Sequence, residues 1–540
     1  MELEKKKKID SIEIYWPDQK KQVLYSLKEN KLHTIKYDPN RDIYKNYIHK
    51  TIFKDISIND NAPKYSHKEN FYDDYKKQIL LPHKFSQSGP ALTKGDVNGD
   101  GLEDFFIGGA SSKAGALFIQ TSENAFKESI SIPLEKHKYS EDIDATFIDS
   151  DSDGDLDLYV MSGGNEFEPQ NQIYFDRLYI NDGFGNFKFK KELLPEIFES
   201  GSVVISSDYD KDGDFDLFIG TKLKPWHYPE PSSSYLLENK NGIFTIDSIN
   251  SSLFKNWGMV NDALWSDIDN DLDEDLIILG EWTSPTIYIN ENGVFNKKKT
   301  PELDKYKGWW FSINEADIDN DGDMDLIAGN LGENFKYKAS KEFPFEVHYG
   351  DFDSNGNNDV VLSYYNYGKQ YPLRGFSCSS QQIPELQDKF EKYDMFASLD
   401  LKSVFGEKLN DVLNLKATDF SSLIFINNGS GFYTAKELPY RAQLSSVNDV
   451  LTSDFNNDGI IDILLIGNMY QVEIETPRND AGIGALLLGT KNGEFEFTPL
   501  TKSGFFTPGD AKKMIEIKTH DGKFILVANN NDVLQTFKLN

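Results

Sequence analysis

One acidic motif recurs seven times along the chain and constrains its fold more than any other feature. Its pattern is D-x-[DN]-x-[DN]-G-x-x-D, and successive copies start 34 to 103 residues apart. The copies begin at Asp96, Asp149, Asp208, Asp267, Asp317, Asp351 and Asp454. Long periods of this kind are typical of repeat architectures in which each unit is one supersecondary piece.

The segments on either side of each acidic loop have the sequence pattern of β-strands. Apolar runs such as "FFIGGA" and "LIILG" follow the loops, and most units carry a second hairpin built on Asn and Gly, such as "LYINDGFGNF" and "IYINENGVF". Two hairpins make a four-stranded unit of about fifty residues, which is the size of one propeller blade. The sequence therefore predicts an all-β fold, a β-propeller over residues 86–540.

The repeat count favours eight blades. The end of the chain, from "GDAKKMIEIK" onward, repeats the strand rhythm without the acidic motif and supplies the eighth unit. Seven blades are the alternative if the short unit at Asp317 merges with its neighbour. The last unit is one strand short, so residues 46–85 are expected to form a linker with a ring-closing strand, which we place at "QILLPHKF" (78–85).

An insertion interrupts the repeat after Asp351. Apolar residues recur there at helical spacing, which predicts a small helical insertion over about 380–415 on the rim of the propeller: Ile383, Leu386, Phe390, Tyr393, Leu401, Val404, Phe405 and Leu409.

The acidic loops offer the ligands that calcium prefers. Side-chain oxygens at positions 1, 3, 5 and 9 and a backbone carbonyl at position 7 are hard donors, and glycine at position 6 permits the sharp turn around one point. Borderline metals would require His or Cys, and Mg²⁺ would retain more water. The sequence predicts up to seven calcium ions.

The predicted metal-binding residues are the odd positions of each loop. They are Asp96, Asn98, Asp100, Leu102 and Asp104; Asp149, Asp151, Asp153, Asp155 and Asp157; Asp208, Asp210, Asp212, Asp214 and Asp216; Asp267, Asp269, Asp271, Asp273 and Asp275; Asp317, Asp319, Asp321, Asp323 and Asp325; Asp351, Asp353, Asn355, Asn357 and Asp359; and Asp454, Asn456, Asp458, Ile460 and Asp462. The fullest sets begin at Asp149, Asp208 and Asp317. Leu272 in place of glycine and the neutral Asn355 weaken two others.

Three other interpretations compete with a calcium cage. An EF-hand requires Glu at position 12 and flanking helices, whereas position 12 of the first loop is Ile107, inside a strand-like run. A catalytic carboxylate pair requires two different environments, which a ladder repeated seven times does not offer. A solvated acidic turn stays open, although crowded carboxylates repel one another without a counter-ion.

Composition limits the classes of partner. With 57 basic and 88 acidic side chains the net charge is −31, which disfavours nucleic acids and anionic membrane surfaces. No run of eighteen apolar residues is present, and charge occupies the first residues, where a signal peptide would carry its apolar stretch. The single cysteine, Cys378, has no disulfide partner within the chain.

The loops and blades resemble the FG-GAP/VCBS repeats of integrin α-subunit propellers and of bacterial surface proteins. Stretches such as "NDALWSDIDNDLDEDLIILGEW" are similar to VCBS-repeat proteins of Bacteroidetes related to cartilage acidic protein. Residues 9–37 resemble the closing strands of an ASPIC/UnbV domain, so residues 1–45 are expected to be a β-rich remnant of one. The resemblance implies calcium in the loops and no defined reaction.

The same resemblance implies a location. The chain is similar to the C-terminal half of a larger exported protein, with a split gene start as the alternative. We therefore expect an extracellular, cell-surface or periplasmic location, where calcium is abundant.

The sequence leaves two functions open. The favoured hypothesis is an adhesion or binding module for a protein or glycan ligand, and the alternative is a carbohydrate-active lyase or hydrolase on a propeller. The eight histidines are scattered without a metal-binding pair, and only five arginines are present. Trp226, Trp257, Trp309 and Trp310 lie at strand edges, where they either stack on sugars or pack between blades.

Overall fold

A computed structural model describes residues 11–16, 21–25, 32–37, 50–122, 125–429 and 432–540. The chain divides into two compact units, Met1–Thr51 and Ile52–Asn540. In the first unit β1 (Ser11–Tyr15) pairs antiparallel with β2 (Lys21–Tyr25), with Glu13 opposite Val23. Much of the expected ASPIC/UnbV remnant, residues 1–45, lies outside the described residues.

The second unit begins with a short strand and continues with three four-stranded antiparallel blades. The first strand is β3 (Phe53–Asp55). Blade 1 contains β4 (Leu92–Gly95), β5 (Asp104–Ile107), β6 (Ala116–Gln120) and β7 (Phe126–Ser129). Blade 2 contains β8 (Glu141–Ile148), β9 (Asp157–Gly163), β10 (Arg177–Ile180) and β11 (Lys188–Phe189). Blade 3 contains β12 (Ser200–Ser207), β13 (Asp216–Leu223), β14 (Tyr235–Lys240) and β15 (Ile243–Ile246).

Blade 4 follows the same order and gains one extra short strand. It contains β16 (Met259–Ser266), β17 (Asp275–Thr283), β18 (Thr286–Asn290) and β19 (Phe295–Lys297), with β20 (Gly308–Trp309) paired to the far end of β17. Blade 5 begins with β21 (Ser312–Ala316) and β22 (Asp325–Gly329).

An inserted sheet separates the two halves of blade 5. Its strands are β23 (Phe345–Gly350), β24 (Asp359–Asn366), β25 (Lys369–Pro372) and β26 (Leu413–Ala417), in the order β25-β24-β23-β26. Four short helices precede β26: α1 (Phe376–Gln382), α2 (Glu385–Lys389), α3 (Tyr393–Ala397) and α4 (Leu401–Phe405). Their apolar residues, including Ile383, Leu386 and Val404, form one cluster with Val361 of the sheet.

The rest of the chain completes the ring. Blade 5 ends with β27 (Leu423–Asn427) and β28 (Tyr433–Glu437). Blade 6 contains β29 (Val447–Ser453), β30 (Asp462–Gly467), β31 (Ala485–Gly489) and β32 (Phe495–Phe497), and α5 (Leu500–Ser503) follows it. Blade 7 contains β33 (Ala511–Thr519), β34 (Gly522–Asn529) and β35 (Gln535–Leu539), with β3 as its fourth strand.

The ring has seven blades in the described part of the chain, not the favoured eight. The first strands of consecutive blades are neighbours around a closed circle, from β4 through β8, β12, β16, β21 and β29 to β33 and back to β4. The unit at Asp317 does merge with later sequence, because β22 pairs with β27 across the insertion. The loop at Asp351 belongs to the inserted sheet, which explains the miscount.

The closing strand also differs from the expected one. Phe53 lies opposite Leu539, so β3 completes blade 7, while residues 78–85 form no blade strand. Leu80, Leu81 and Phe85 instead belong to a buried apolar cluster that includes residues of the inserted sheet. Burial of these side chains in the cluster stabilises the protein more than a position in a strand at the edge of a sheet would.

Apolar side chains of neighbouring blades pack together. Phe106 and Leu117 of blade 1 share a buried cluster with Leu158 and Val160 of blade 2. Every residue of β9 is buried, as expected for a strand covered on both faces. This packing fixes the relative positions of the loops that connect the strands.

Candidate metal centres in the aspartate loops

Each of the seven loops connects two adjacent strands. Six lie between the first and second strands of blades 1 to 6, and the loop at Asp351 lies between β23 and β24. The corresponding turn of blade 7 joins β33 to β34 and carries no ladder. Position 12 of the first loop, Ile107, is the last residue of β5, so the loop has a strand where an EF-hand has a helix.

The first aspartate of each loop organises the backbone around itself. Asp149 accepts hydrogen bonds from the amides of Asp153 and Gly154, each at 3.1 Å. Asp153 in turn accepts from the amide of Asp155 at 3.2 Å. Equivalent bonds recur in the other loops, for example from Asp321 and Gly322 to Asp317 at 3.1 Å. In five of the loops the carboxylates at positions 1 and 3 lie close to the carboxylate at position 5 or position 9.

The sixth position needs a left-handed backbone conformation. Gly154 has φ of 93° and Gly213 has φ of 100°, which glycine adopts without strain. Leu272 keeps the same turn in the loop at Asp267 with φ of 75°, and its side chain is 80% exposed. The substitution therefore strains the backbone without removing the loop.

The ninth aspartate is buried at the start of the second strand. Asp216 accepts a 2.7 Å hydrogen bond from the amide of Asn239, on the third strand of the same blade. Burial, together with the carboxylates of Asp210, Asp212 and Asp208, raises the pKa of Asp216 to about 8, although the hydrogen bond from Asn239 lowers it. Burial likewise raises the pKa of Asp104 to about 7. A nearby cation would reverse this shift.

Five loops bring three carboxylates within 4.8 Å of one another. The groups are Asp149, Asp151 and Asp153; Asp208, Asp210 and Asp216; Asp267, Asp269 and Asp271; Asp317, Asp319 and Asp325; and Asp351, Asp353 and Asp359. All three fullest sets are among them, together with the two that the sequence ranks as weaker. The loops at Asp96 and Asp454 carry an amide at position 3, and Asn98 donates to Asp100 at 3.1 Å.

Several carboxylate oxygens in these loops are buried without a hydrogen-bond partner among the described residues. They include Asp208 Oδ1 and Asp216 Oδ2 in one loop and Asp353 Oδ1 in another. A buried acceptor without a donor is costly, and a cation supplies the missing interaction. The donor set is all oxygen, so the residues fit a hard cation such as Ca²⁺.

Contacts between consecutive loops were not anticipated from the sequence. Ser152 donates to Asp214 of the next loop at 2.8 Å, Lys211 contacts Asp273, and Asn270 donates to Asp323 at 2.9 Å. In each case position 4 of one loop contacts position 7 of the next. The position-7 side chain is available for this role because that position offers its backbone carbonyl to a cation.

The recurring Asn of the second hairpin links blades as well. The amide nitrogens of Asn181, Asn239 and Asn290 donate to the carbonyl oxygens of Val97, Ser150 and Tyr209, at 2.7, 2.8 and 2.8 Å. Each acceptor is the second residue of the preceding blade's aspartate loop. The sequence predicts only that these Asn residues form hairpin turns. Their second role, a hydrogen bond to the preceding blade, depends on the blades being neighbours in the ring.

The tryptophans take different positions. Trp309 and Trp310 are fully buried, and Trp257 packs against a buried cluster of blades 3 and 4. Lys77 lies 3.8 Å above the ring of Trp226, which Asn165 also holds through hydrogen bonds. Packing therefore accounts for Trp257, Trp309 and Trp310.

None of the helices in the described part of the chain has the length and apolar character required to cross a bilayer. The FG-GAP-like repeat family matches residues 96–160 and 267–328, and the ASPIC and UnbV family matches residues 3–42. The two FG-GAP ranges contain four of the seven aspartate loops, which begin at Asp96, Asp149, Asp267 and Asp317. No curated protein matches the chain significantly.

Three solved structures are similar to this chain at low identity and low TM-score. The biofilm matrix protein Bap1 of V. cholerae is 12% identical, with coverage of 88% of this chain and 91% of that chain and a TM-score of 0.34. YCF48 from Cyanidioschyzon merolae is 9% identical, with coverage of 85% and 97% and a TM-score of 0.39. The Dos1 propeller is 10% identical, with coverage of 85% and 93% and a TM-score of 0.36.

The loops, the blades and the two family matches agree. The loop geometry repeats in the matched and the unmatched parts of the chain, and the ASPIC and UnbV match falls on the separate N-terminal unit. The two family matches support an FG-GAP repeat protein of the ASPIC/UnbV group.

Proposed function

We propose that this chain is a calcium-binding extracellular β-propeller that acts as an adhesion or ligand-binding module. Five loops each bring three carboxylates within 4.8 Å of one another, and two of these triads contain buried oxygens without a hydrogen-bond donor among the described residues. This observation carries the proposal. FG-GAP repeats arranged in a ring of blades support a ligand-binding or adhesion-type module.

In this proposal calcium stabilises the scaffold and does not carry out chemistry. Each ion would be held by side-chain oxygens at positions 1, 3, 5 and 9 and the carbonyl at position 7 of one loop. The loops lie next to one another and are joined by the contacts of Ser152, Lys211 and Asn270, so bound calcium would stiffen one face of the ring.

The same loops support a location outside the cell. Oxygen cages of this type fill at the millimolar calcium found outside cells and stay empty at cytosolic concentrations. We propose export to the cell surface or periplasm. Fractionation of cells that produce the native gene product tests this, and recovery from the cytosol alone would refute it.

A glycan and protein array, probed in calcium and in EDTA, tests ligand binding. We expect at least one ligand that is retained in calcium and lost in EDTA. Parallel lyase and hydrolase assays on the retained glycans distinguish a binding module from an enzyme, because turnover would favour the enzyme. An array without any calcium-dependent ligand would refute the binding module.

A further inference from the structure

A cavity opens at the centre of the ring on the face opposite the aspartate loops. Each loop lies where a first strand ends, whereas the cavity is lined by residues from the beginnings of first strands and the ends of second strands. The cavity volume is about 110 Å³, and the cavity is open to solvent.

β-Bulges direct side chains into this cavity. The pairing of first and second strands shifts by one residue at Ile143, Ser202, Asn261, Asn448 and Lys512, and all five line the cavity. A bulge re-aims a side chain and is over-represented beside functional sites. The same irregularity at the same place in five blades places one side chain from each of them at the channel.

The wall of the cavity is basic although the protein is acidic. Lys84, Lys222, Lys512, Lys513 and His83 line it, and none of its described lining residues is Asp or Glu. The net charge of the whole chain is −31. Basic side chains are therefore concentrated where the fold leaves space.

Carboxylates behind the wall hold these lysines. Lys222 Nζ lies 3.2 Å from Glu281, and Lys512 Nζ lies 2.8 Å from Asp510, and both carboxylates are buried. Burial alone would raise the pKa of Glu281, but Lys222 and His83 lower it to about 2. Each ammonium has three donors, so a single carboxylate partner leaves donors for a ligand.

The floor of the channel is a closed ion cluster. Lys513 Nζ lies 3.9 Å from Asp144, and Asp262 and Asp449 also interact with it. Burial alone would lower the pKa of Lys513, but these three carboxylates raise it above its ordinary value. The floor holds more carboxylates than ammonium groups, so a ligand carboxylate would meet its donors nearer the opening, at Lys84, Lys222 and Lys512.

Amide oxygens provide acceptors in the same wall. The amide nitrogen of Asn261 donates to Trp310 O at 2.6 Å, and that of Asn448 donates to Asn468 O and Ala511 O at 2.8 Å. Their side-chain oxygens accept no hydrogen bond from the described residues, and Gln87 Oε1 is buried without a partner. The wall thus combines cationic donors with neutral acceptors.

We infer that this cavity is the ligand site and that it binds a carboxylate-bearing sugar, such as a uronic acid residue at a chain end. The carboxylate accepts from the lysines, and the hydroxyl groups donate to the amide oxygens. An acidic peptide side chain offers the carboxylate without hydroxyl donors beside it. The inference rests on the proposed ligand-binding function and assigns its site and ligand class.

Calorimetric titration tests the inference, with the full chain in calcium-containing buffer. The probes are a galacturonic acid trisaccharide, a neutral galactose trisaccharide and a tri-glutamate peptide. We expect the acidic sugar to bind at least ten-fold more tightly than both others. Equal or tighter binding of the neutral sugar or the peptide, or no binding of the acidic sugar, would overturn the inference.

Two variants locate the site without disturbing the fold. Lys84→Gln removes an ammonium whose Nζ donates to the carbonyl of Tyr72 at 3.0 Å and has no carboxylate partner among the described residues, and Gln471→Ala removes a lining amide. Each should weaken the acidic sugar about ten-fold, whereas Lys127→Gln on the outer strand β7 should not. Unchanged affinity in both cavity variants would place the ligand elsewhere.

The two proposals fail in distinguishable ways. A ligand found on the array that binds Lys84→Gln and Gln471→Ala normally refutes the cavity site and leaves the binding module intact. A chain with no calcium-dependent ligand of any class refutes the binding module itself.

Discussion

Asn239 in blade 3 donates a 2.8 Å hydrogen bond to the carbonyl oxygen of Ser150, the second residue of the blade 2 aspartate loop. The same amide nitrogen donates to Phe215 O at 3.1 Å, and its oxygen accepts from the amide of Gly242 at 2.9 Å. One buried side chain therefore connects the aspartate loops of blades 2 and 3 with the Asn-Gly hairpin of blade 3.

Replacement of this residue should destabilise the ring. Asn239→Ala removes a donor from the buried carbonyl of Ser150 and from the partly buried carbonyl of Phe215, so we expect a loss of about 1–3 kcal/mol in the free energy of unfolding. Chemical denaturation in calcium measures it. Asn296→Ala, at an exposed position of β19, is the matched control and should stay within about 0.5 kcal/mol of the wild type. Equal effects in the two variants would contradict the linking role.

Replacement of Leu272 by glycine should relieve backbone strain in its turn and stabilise the protein. Leu272→Gly relieves a left-handed conformation that costs a non-glycine residue roughly 1–2 kcal/mol, partly offset by the greater freedom of glycine in the unfolded chain. We expect a gain of up to about 1 kcal/mol and tighter calcium binding in that loop. Gly213→Leu, the reverse change at φ of 100°, should be destabilising. A loss of stability in Leu272→Gly would show that the leucine side chain contributes packing.

The sequence anticipated the repeated unit better than the way the units assemble. The residues at positions 1 to 9 of the acidic motif interact with one another locally. The motif alone therefore predicts the turn at Asp149 and the strands on either side of it. The path from β22 to β27 depends on pairing across 93 residues between Gly329 and Leu423, which no local pattern records. The roles of Asn239 and of the bulge at Asn261 arise only when blades become neighbours, and so they could not be derived from one unit.

Stability in the alkaline range should depend on a buried glutamate cluster. Burial raises the pKa of Glu69 to about 8 and raises that of Glu141, which lies beside Glu166 and Glu69, well above its ordinary value. A group with a raised pKa in the folded state stabilises at low pH, and that stability is lost as pH rises through the folded value. For Glu69 the loss begins above the ordinary pKa of 4.5 and is complete above a pH of about 8, so the melting temperature at fixed calcium should fall as the pH rises from about 5 to about 9.

Glu141→Gln tests the origin of this dependence. The amide keeps an acceptor for the backbone amide of Ser88 and cannot ionise. We expect a higher melting temperature than wild type at pH 9 and a flatter profile above pH 7. Glu192→Gln, at an exposed position, is the control and should follow the wild-type profile. A wild-type melting temperature that stays constant to pH 9 would contradict the shifted pKa values.

Calcium sites should differ according to their carboxylates. Asp208→Ala removes the first ligand of a loop that has aspartate at all its odd positions, whereas the loop at Asp351 has the neutral Asn355 and should bind more weakly from the start. Calorimetric titration should show loss of a tight site in Asp208→Ala and of a weaker one in Asp351→Ala. Loss of a tight site only in Asp351→Ala would contradict this order.

Thermal unfolding of the full chain in calcium and in EDTA tests the central claim most directly. A ligand that binds only the folded state stabilises by RT ln(1 + [L]/Kd), which is about 1.4 kcal/mol for each site at ten times Kd. We predict a melting temperature that rises with calcium concentration, falls in EDTA, and returns when calcium is restored. An unchanged melting curve in EDTA, for protein shown beforehand to contain calcium, would contradict the account of these loops as calcium sites.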